Sequence, residues 1–251
     1  MTRLSIKQKA QQYVVLTGMA LFIGLLVGAI DMIFGQGLLL IGDFRSQHWP
    51  LILFLAIAGL VIVYLYKRFG GKASKGMGLI FDVGHAREER IPLVLVPLIM
   101  LTTWMSHLFG GSVGREGVAV QIGATLSHRF ARHIKIPDAS PIFLMTGMAA
   151  GFAGLFQTPL AATFFALEVL TVGELQLMAL YPALIASIVA SFTSHALGLE
   201  KFAVPLRETL SWTPENLIKV ALLGLAFGLA GKLFAVSLSW LKKTVAQVLP
   251  N

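Results

Sequence analysis

The sequence contains no cysteine, which excludes disulfides, thiolate metal sites and thiol nucleophiles. Charge is scarce as well. Only 13% of the 251 residues are Asp, Glu, Lys or Arg, about half of the ~25% found in soluble domains. Acidic residues are the rarer sign, 12 against 20 basic ones. His85, His107 and His128 stand beside polar loops, and no pair of them has metal-ligand spacing on a helix. No phosphate-cradling loop or nucleophile–base pair is present either, so neither an enzyme nor a bound metal or other cofactor is expected.

Apolar surface, in contrast, is abundant. Hydrophobic residues make up 56% of the chain and the mean hydropathy is +0.79. A water-soluble protein of this length can bury a core but could not cover this one, so the expected solvent is a lipid bilayer. The formal charge of +8 would in another setting suggest nucleic acid. Here the basic residues gather at the ends of apolar runs: Arg3, Lys7 and Lys9; Lys67, Arg68, Lys72 and Lys75; Lys242 and Lys243. Cytoplasmic flanks of membrane spans have that distribution. The expectation is a multi-pass protein of the cell (inner) membrane with its N-terminus in the cytoplasm and no nucleic-acid partner. Arg129, Arg132 and Lys135 form a third group whose side the pattern leaves open.

A bilayer core of about 30 Å needs about 20 apolar residues of helix. After a polar, basic segment at 1–12, which needs no separate signal peptide to explain it, the run Tyr13–Phe34 meets that need, with Asp31 near its end in an expected wetted position. Trp49–Tyr66, Ile91–Phe109 (Pro92 in its first turn), Leu175–Leu197 and Asn216–Trp240 follow. Pro182 predicts a kink or a short 3-10 stretch, and Pro214 suits a helix start. Between them lie Ser74–Gly84, Gly114–His128 and Pro141–Val172, apolar but broken by Gly, Pro or a charge. Irregular backbone at membrane depth requires protein or a wet cavity around it, and such segments point to a transporter's binding site. Small residues recur four apart at Gly24/Gly28, Gly147/Gly151, Ala150/Gly154 and Gly224/Gly228. The dense group from Gly147 to Gly154 is the one read as a helix-packing face.

The chemistry concentrates in GGSVGREGVAVQIGATLSHRF, residues 110–130. A helix starting at Glu116 would turn free N–H groups, and about half a positive charge, back toward Gly114 and Arg115. Glu116 is then a carboxylate placed where an anion would bind. Ionised it competes with the anion, and protonated it leaves the site free. A structural Arg115–Glu116 ion pair is the plainer alternative, but charges in such apolar company are functional by default. Ser74-Lys75-Gly76-Met77-Gly78 repeats the pattern more weakly, with Met77 at a second helix start and Phe81 one turn on as packing. Asp82, like Asp31, reads as wetted, and Glu168 divides evenly between a protein contact and a water path.

GREGVAVQIG at 114–123 and MTGMAAGFAGLFQTPLAATFFALE at 145–168 resemble, in order and spacing, the signature segments of the CLC anion-transporter family. That resemblance implies an all-α fold of inverted repeats with broken half-helices, of which this chain matches the first repeat over residues 13–199. Residues 200–251 match a connecting loop and the opening helix of an otherwise absent second repeat. It implies Glu116 as gating and proton-carrying residue, and an anion site at Gly76, Met77, Gly78, Gly114, Arg115, Gly117 and Val118. Met77 replaces the family's central serine and Val118 the proline after the signature. Both changes are similar to the fluoride/proton antiporter branch, so the leading expectation is fluoride export coupled to proton import. Val169 stands where chloride/proton antiporters carry an internal proton-relay glutamate, which leaves proton movement to Glu116 and water, or an uncoupled channel. A chloride or other halide transporter, and a non-transporting half-length module needing a second chain, are the alternatives. The family also implies a homodimer, joined through the helices from Gln157 to Leu197, or else a complementing second half.

Overall fold

In a bilayer each backbone N–H and C=O of a spanning segment must be satisfied within the protein, so uncharged apolar runs become helices. The computed structural model describes residues 6–134, 136–170, 174–200 and 211–248. Arg3, Lys135, Val172 and the Lys9 side chain lie outside the described parts. Among the described residues all regular structure is helical: α1 (Ile6–Gln47), α2 (Leu55–Leu65), α3 (Met77–Gly84), α4 (Leu95–Leu108), α5 (Glu116–Ala131), α6 (Ala139–Phe156), α7 (Pro159–Glu168), α8 (Leu180–Ala196) and α9 (Pro214–Val248). Five stretches are long and apolar enough to cross a membrane: Ala10–Gln47, Trp49–Gly84, Ala139–Phe156, Leu177–Ala196 and Pro214–Val248. The molecule is a multi-pass membrane protein.

Contacts divide the chain into two units, Met1–Phe202 and Ala203–Asn251. The second is described by α9, which starts at Pro214 as expected. The Thr213 hydroxyl accepts the Asn216 N–H at 3.3 Å, and Lys219 reaches back to Glu215 at 2.5 Å.

Several boundaries differ from the sequence reading. Helix α1 does not stop at Phe34 but runs on to Gln47, and it starts before Tyr13. Within this continuation Gly35 and Gly37 are contact points. A Cβ on Gly35 would come within 2.6 Å of the Leu199 side chain, and one on Gly37 within 2.6 Å of the Trp104 ring. Trp104 Nε1 also donates to the Phe34 carbonyl at 3.1 Å. The expected Trp49–Tyr66 span is a composite: a 3-10 turn (Trp49–Phe54), α2, and a π turn (Tyr66–Gly70). Pro182 produces no kink, because it falls in the first turn of α8, after the 3-10 turn Leu177–Ala179. Pro92 lies just ahead of α4, its carbonyl accepting the Leu95 N–H at 3.0 Å.

Helix α6 is the centre of the first unit, with α5, α8, α7 and α1 packed on it. Every residue from Ile142 to Gly151 is buried. The expected small-residue face is there. A Cβ on Gly123 or Gly147 would overlap the other's carbonyl oxygen, and one on Gly151 would overlap the Ala119 carbonyl. Helices α5 and α6 therefore cross with their backbones in contact, and Ser127 Oγ donates to the Phe143 carbonyl across the same seam. The α1–α8 crossing is built similarly. A Cβ on Gly28 would lie 2.6 Å from the Ala190 carbonyl, and one on Gly24 2.7 Å from Val189 Cβ.

Candidate functional site

Helix α5 starts at Glu116 with Arg115 as its cap residue, and no side chain caps it. The Arg115 carbonyl accepts the Ala119 N–H at 3.1 Å, so the N–H groups of the first turn stay free of intrahelical partners. Glu116 itself is exposed, and its carboxylate folds back over Gly114, where a Cβ would stand 2.6 Å from Oε2. Arg115 does not pair with Glu116 among the ion pairs of the described residues. Its guanidinium instead lies over the Phe156 ring, 5.7 Å from the centroid. Gly117 is exposed and Val118 buried, so residues 114–117 form an open mouth and residue 118 its floor.

Helix α3 begins the same way. Gly76 takes φ +54°, a backbone that favours glycine, and turns the chain from the 3-10 segment Gly71–Lys75 into a helix starting at Met77. This helix too has no side-chain cap. Met77 and Phe81 are partly buried against the core, and Gly78 is exposed. The approach to α3 is tied down by Lys75, which bonds Asp82 at 2.9 Å and Glu88 at 3.4 Å, and by Lys72, which bonds Glu88 at 2.6 Å. The hydrogen bond from Lys72 holds the Glu88 carboxyl below its ordinary range.

A residue that sequence reasoning passed over lies between α5 and the start of α3. Gln121, 7% exposed, lies one turn into α5. Its Nε2 donates to the Gly117 carbonyl at 2.9 Å, and its Oε1 stands 3.5 Å from where a Gly76 Cβ would be. That oxygen is buried and has no hydrogen-bond partner among the described residues. Two uncapped helix N-termini, each with about half a positive charge, are thus held beside one polar amide. Free helix-end N–H groups of this kind suit a small anion, and the Glu116 carboxylate stands beside those of α5.

Comparison with known proteins follows the same residues. The profile of the family described as "Voltage gated chloride channel" matches residues 58–250. The chain belongs to that family. A protein of Pseudomonas syringae pv. tomato described as "Chloride/fluoride channel protein" is 35% identical over 216 residues, which is 86% of this chain and 48% of that protein. The crystal structure of a CLC-type fluoride/proton antiporter superposes with a TM-score of 0.89 at 45% identity, covering 99% of this chain and 62% of the other. That of a slow cyanobacterial Cl⁻/H⁺ antiporter gives 0.74 at 22% identity, a likeness of fold. The chain spans about half the length of the curated relative. The all-α CLC-like reading with broken half-helices holds, including the resemblance to one part of a longer antiporter.

Other residues considered earlier fall elsewhere. Asp31 is not wetted; it is fully buried. Glu168 is exposed at the end of α7. His85 and His107 bond the carbonyls of Phe81 and Thr103 one turn back. His128 contacts the Glu89 carbonyl and Ser140. No cluster of metal-ligating groups occurs among the described residues.

Proposed function

We propose that this chain forms the anion-handling part of a fluoride/proton antiporter, exporting fluoride against proton import. The observation that carries the reading is the pair of uncapped helix starts at Gly76–Met77 and Arg115–Glu116, with the Gln121 amide beside both. The similarity to a CLC-type fluoride/proton antiporter supports it. In this reading the free N–H groups around Gly76, Met77 and Gly78, and around Gly114, Arg115, Gly117 and Val118, take the anion. Glu116 gates it, occupying the site when ionised and leaving it when protonated, and so carries the proton. Chloride or another halide is the alternative substrate. The protein then lies in the cell inner membrane with its N-terminus in the cytoplasm, beside the basic groups at Lys7 and Lys67–Lys75, and it catalyses no covalent chemistry.

A second reading rests on coverage, since the chain spans 48% of one relative and 62% of another. Here it is a module that transports only when joined by a second chain or a second copy of itself, in a homodimer or a complemented assembly. Fluoride efflux from liposomes containing the purified chain, its Glu116→Gln variant and a chloride control tests both. The expected result is proton-coupled fluoride flux that Glu116→Gln uncouples or abolishes. A folded chain without flux would favour the module, and chloride flux exceeding fluoride flux would replace the substrate.

A further inference from the structure

Asp31 lies in the interior of α1, on the side where α6 and α8 pack. Its relative exposure is 0%, and both carboxyl oxygens are buried with no hydrogen-bond partner among the described residues. The space it fills exists because residue 154 is glycine. A Cβ there would overlap Oδ2 and come within 3.2 Å of Asp31 Cβ and Cγ. On α8, the Ser194 hydroxyl is already engaged, donating to the Gly154 carbonyl at 2.6 Å. Enclosure is complete within this chain's own helices, so an additional chain has no surface of Asp31 to reach.

Nothing nearby among the described residues balances a charge. Helix α6 has no titratable residue. On the other helices packed against α1, the titratable or charged groups are Glu116, His128 and Arg129 of α5, His107 of α4, and Tyr181 and His195 of α8. None is bonded to Asp31. Tyr181 pairs with Thr17, His107 with the Thr103 carbonyl, His128 with Glu89 and Ser140, and His195 and Arg129 are exposed. On α1 itself, Lys7, Lys9, Tyr13, Asp43 and Arg45 lie more than three turns away along the helix. A bare carboxylate stripped of water and partners is strongly unfavourable, whereas a neutral carboxyl is tolerated. A metal ion is no substitute, since one carboxylate without further oxygen donors does not coordinate a cation in a closed site.

We propose that Asp31 is an internal proton-binding site, its carboxyl holding a proton at neutral pH in the space that Gly154 leaves between α1, α6 and α8. The chain then has a proton-holding carboxyl in its interior besides Glu116 at the mouth, in a sequence with valine at 169. Participation of that proton in exchange rests on the antiporter reading; its binding does not.

Infrared spectroscopy of the full chain in lipid decides the matter without any flux. The folded protein at neutral pH should show the absorption of a protonated carboxyl, and isotope-labelled aspartate should shift that band. The other aspartates, Asp43, Asp82 and Asp138, are exposed or half-exposed. The band should be lost in Asp31→Asn and retained in Glu116→Gln. Absence of any aspartate-dependent carboxyl band in the labelled wild type overturns the proposal, even if Asp31→Asn fails to fold. So does a band that Asp31→Asn leaves unchanged, or one that sodium removes. A chain with the band but without flux sinks the transport reading and leaves this one standing, and flux without the band does the reverse.

Discussion

Gln121 carries no charge and sits inside an apolar run, so hydropathy and charge patterns give no reason to single it out. Its importance depends on Gly76, 45 positions earlier in the chain, and that proximity is a tertiary fact. Replacing it with leucine removes one net hydrogen bond, about 1 kcal/mol of stability. Anion flux is expected to fall much further, on the order of tenfold, because the polar amide beside both helix starts is lost. Comparing the melting temperature with liposome flux separates the two effects. Met77 was visible in the sequence because it stands where the family carries serine, and it does open α3. If that side chain sets selectivity, Met77→Ser should raise the ratio of chloride to fluoride flux severalfold. An unchanged ratio would move selectivity to Val118 or to the backbone. Asp31 shows the opposite failure. A carboxylate near the predicted end of a span reads as wetted, and only the continuation of α1 to Gln47 places it inside.

At the scale of elements, the sequence located the broken helices well. Gly, Pro and charge interrupt each of them, and those interruptions became the starts at Met77, Glu116 and Pro159. Glycine was ambiguous because it permits both a turn and a close approach. Gly76 is a turn, with positive φ, while Gly35, Gly37, Gly123 and Gly151 sit inside helices against other atoms. No local pattern distinguishes the two uses. The distinction yields a paired prediction. Gly42 has nothing within 4 Å of its missing Cβ, so Gly42→Ala should be neutral or stabilising by about 0.5–1 kcal/mol. Gly151→Ala must push α5 and α6 apart and should destabilise by about 1–3 kcal/mol or more. Thermal melts of both variants in one detergent check this, and equal melting temperatures would deny the close crossing.

For the whole molecule, the outer faces of α7 and α8 remain strongly apolar. Leu160, Phe164, Ile188 and Phe192 are 63%, 54%, 49% and 72% exposed. Lipid can cover such a surface, and so can a second copy. The homodimer proposed through this region predicts that Ile188→Arg with Phe192→Arg yields a smaller particle, as measured by light scattering in detergent. A mass unaffected by the double substitution would assign the face to lipid alone.

The glycine seam between α5 and α6 also limits how an exchanger built on this chain can work. Two helices whose backbones interlock at Gly123, Gly147 and Gly151 cannot slide or roll past one another without collision, and packed interfaces of this kind do not deform gradually. The helix that carries Glu116 is therefore held fast against α6. In the antiporter reading α5 and α6 turn as one body, and the Glu116 side chain at the mouth is the part left free to swing, a turnstile on a fixed post.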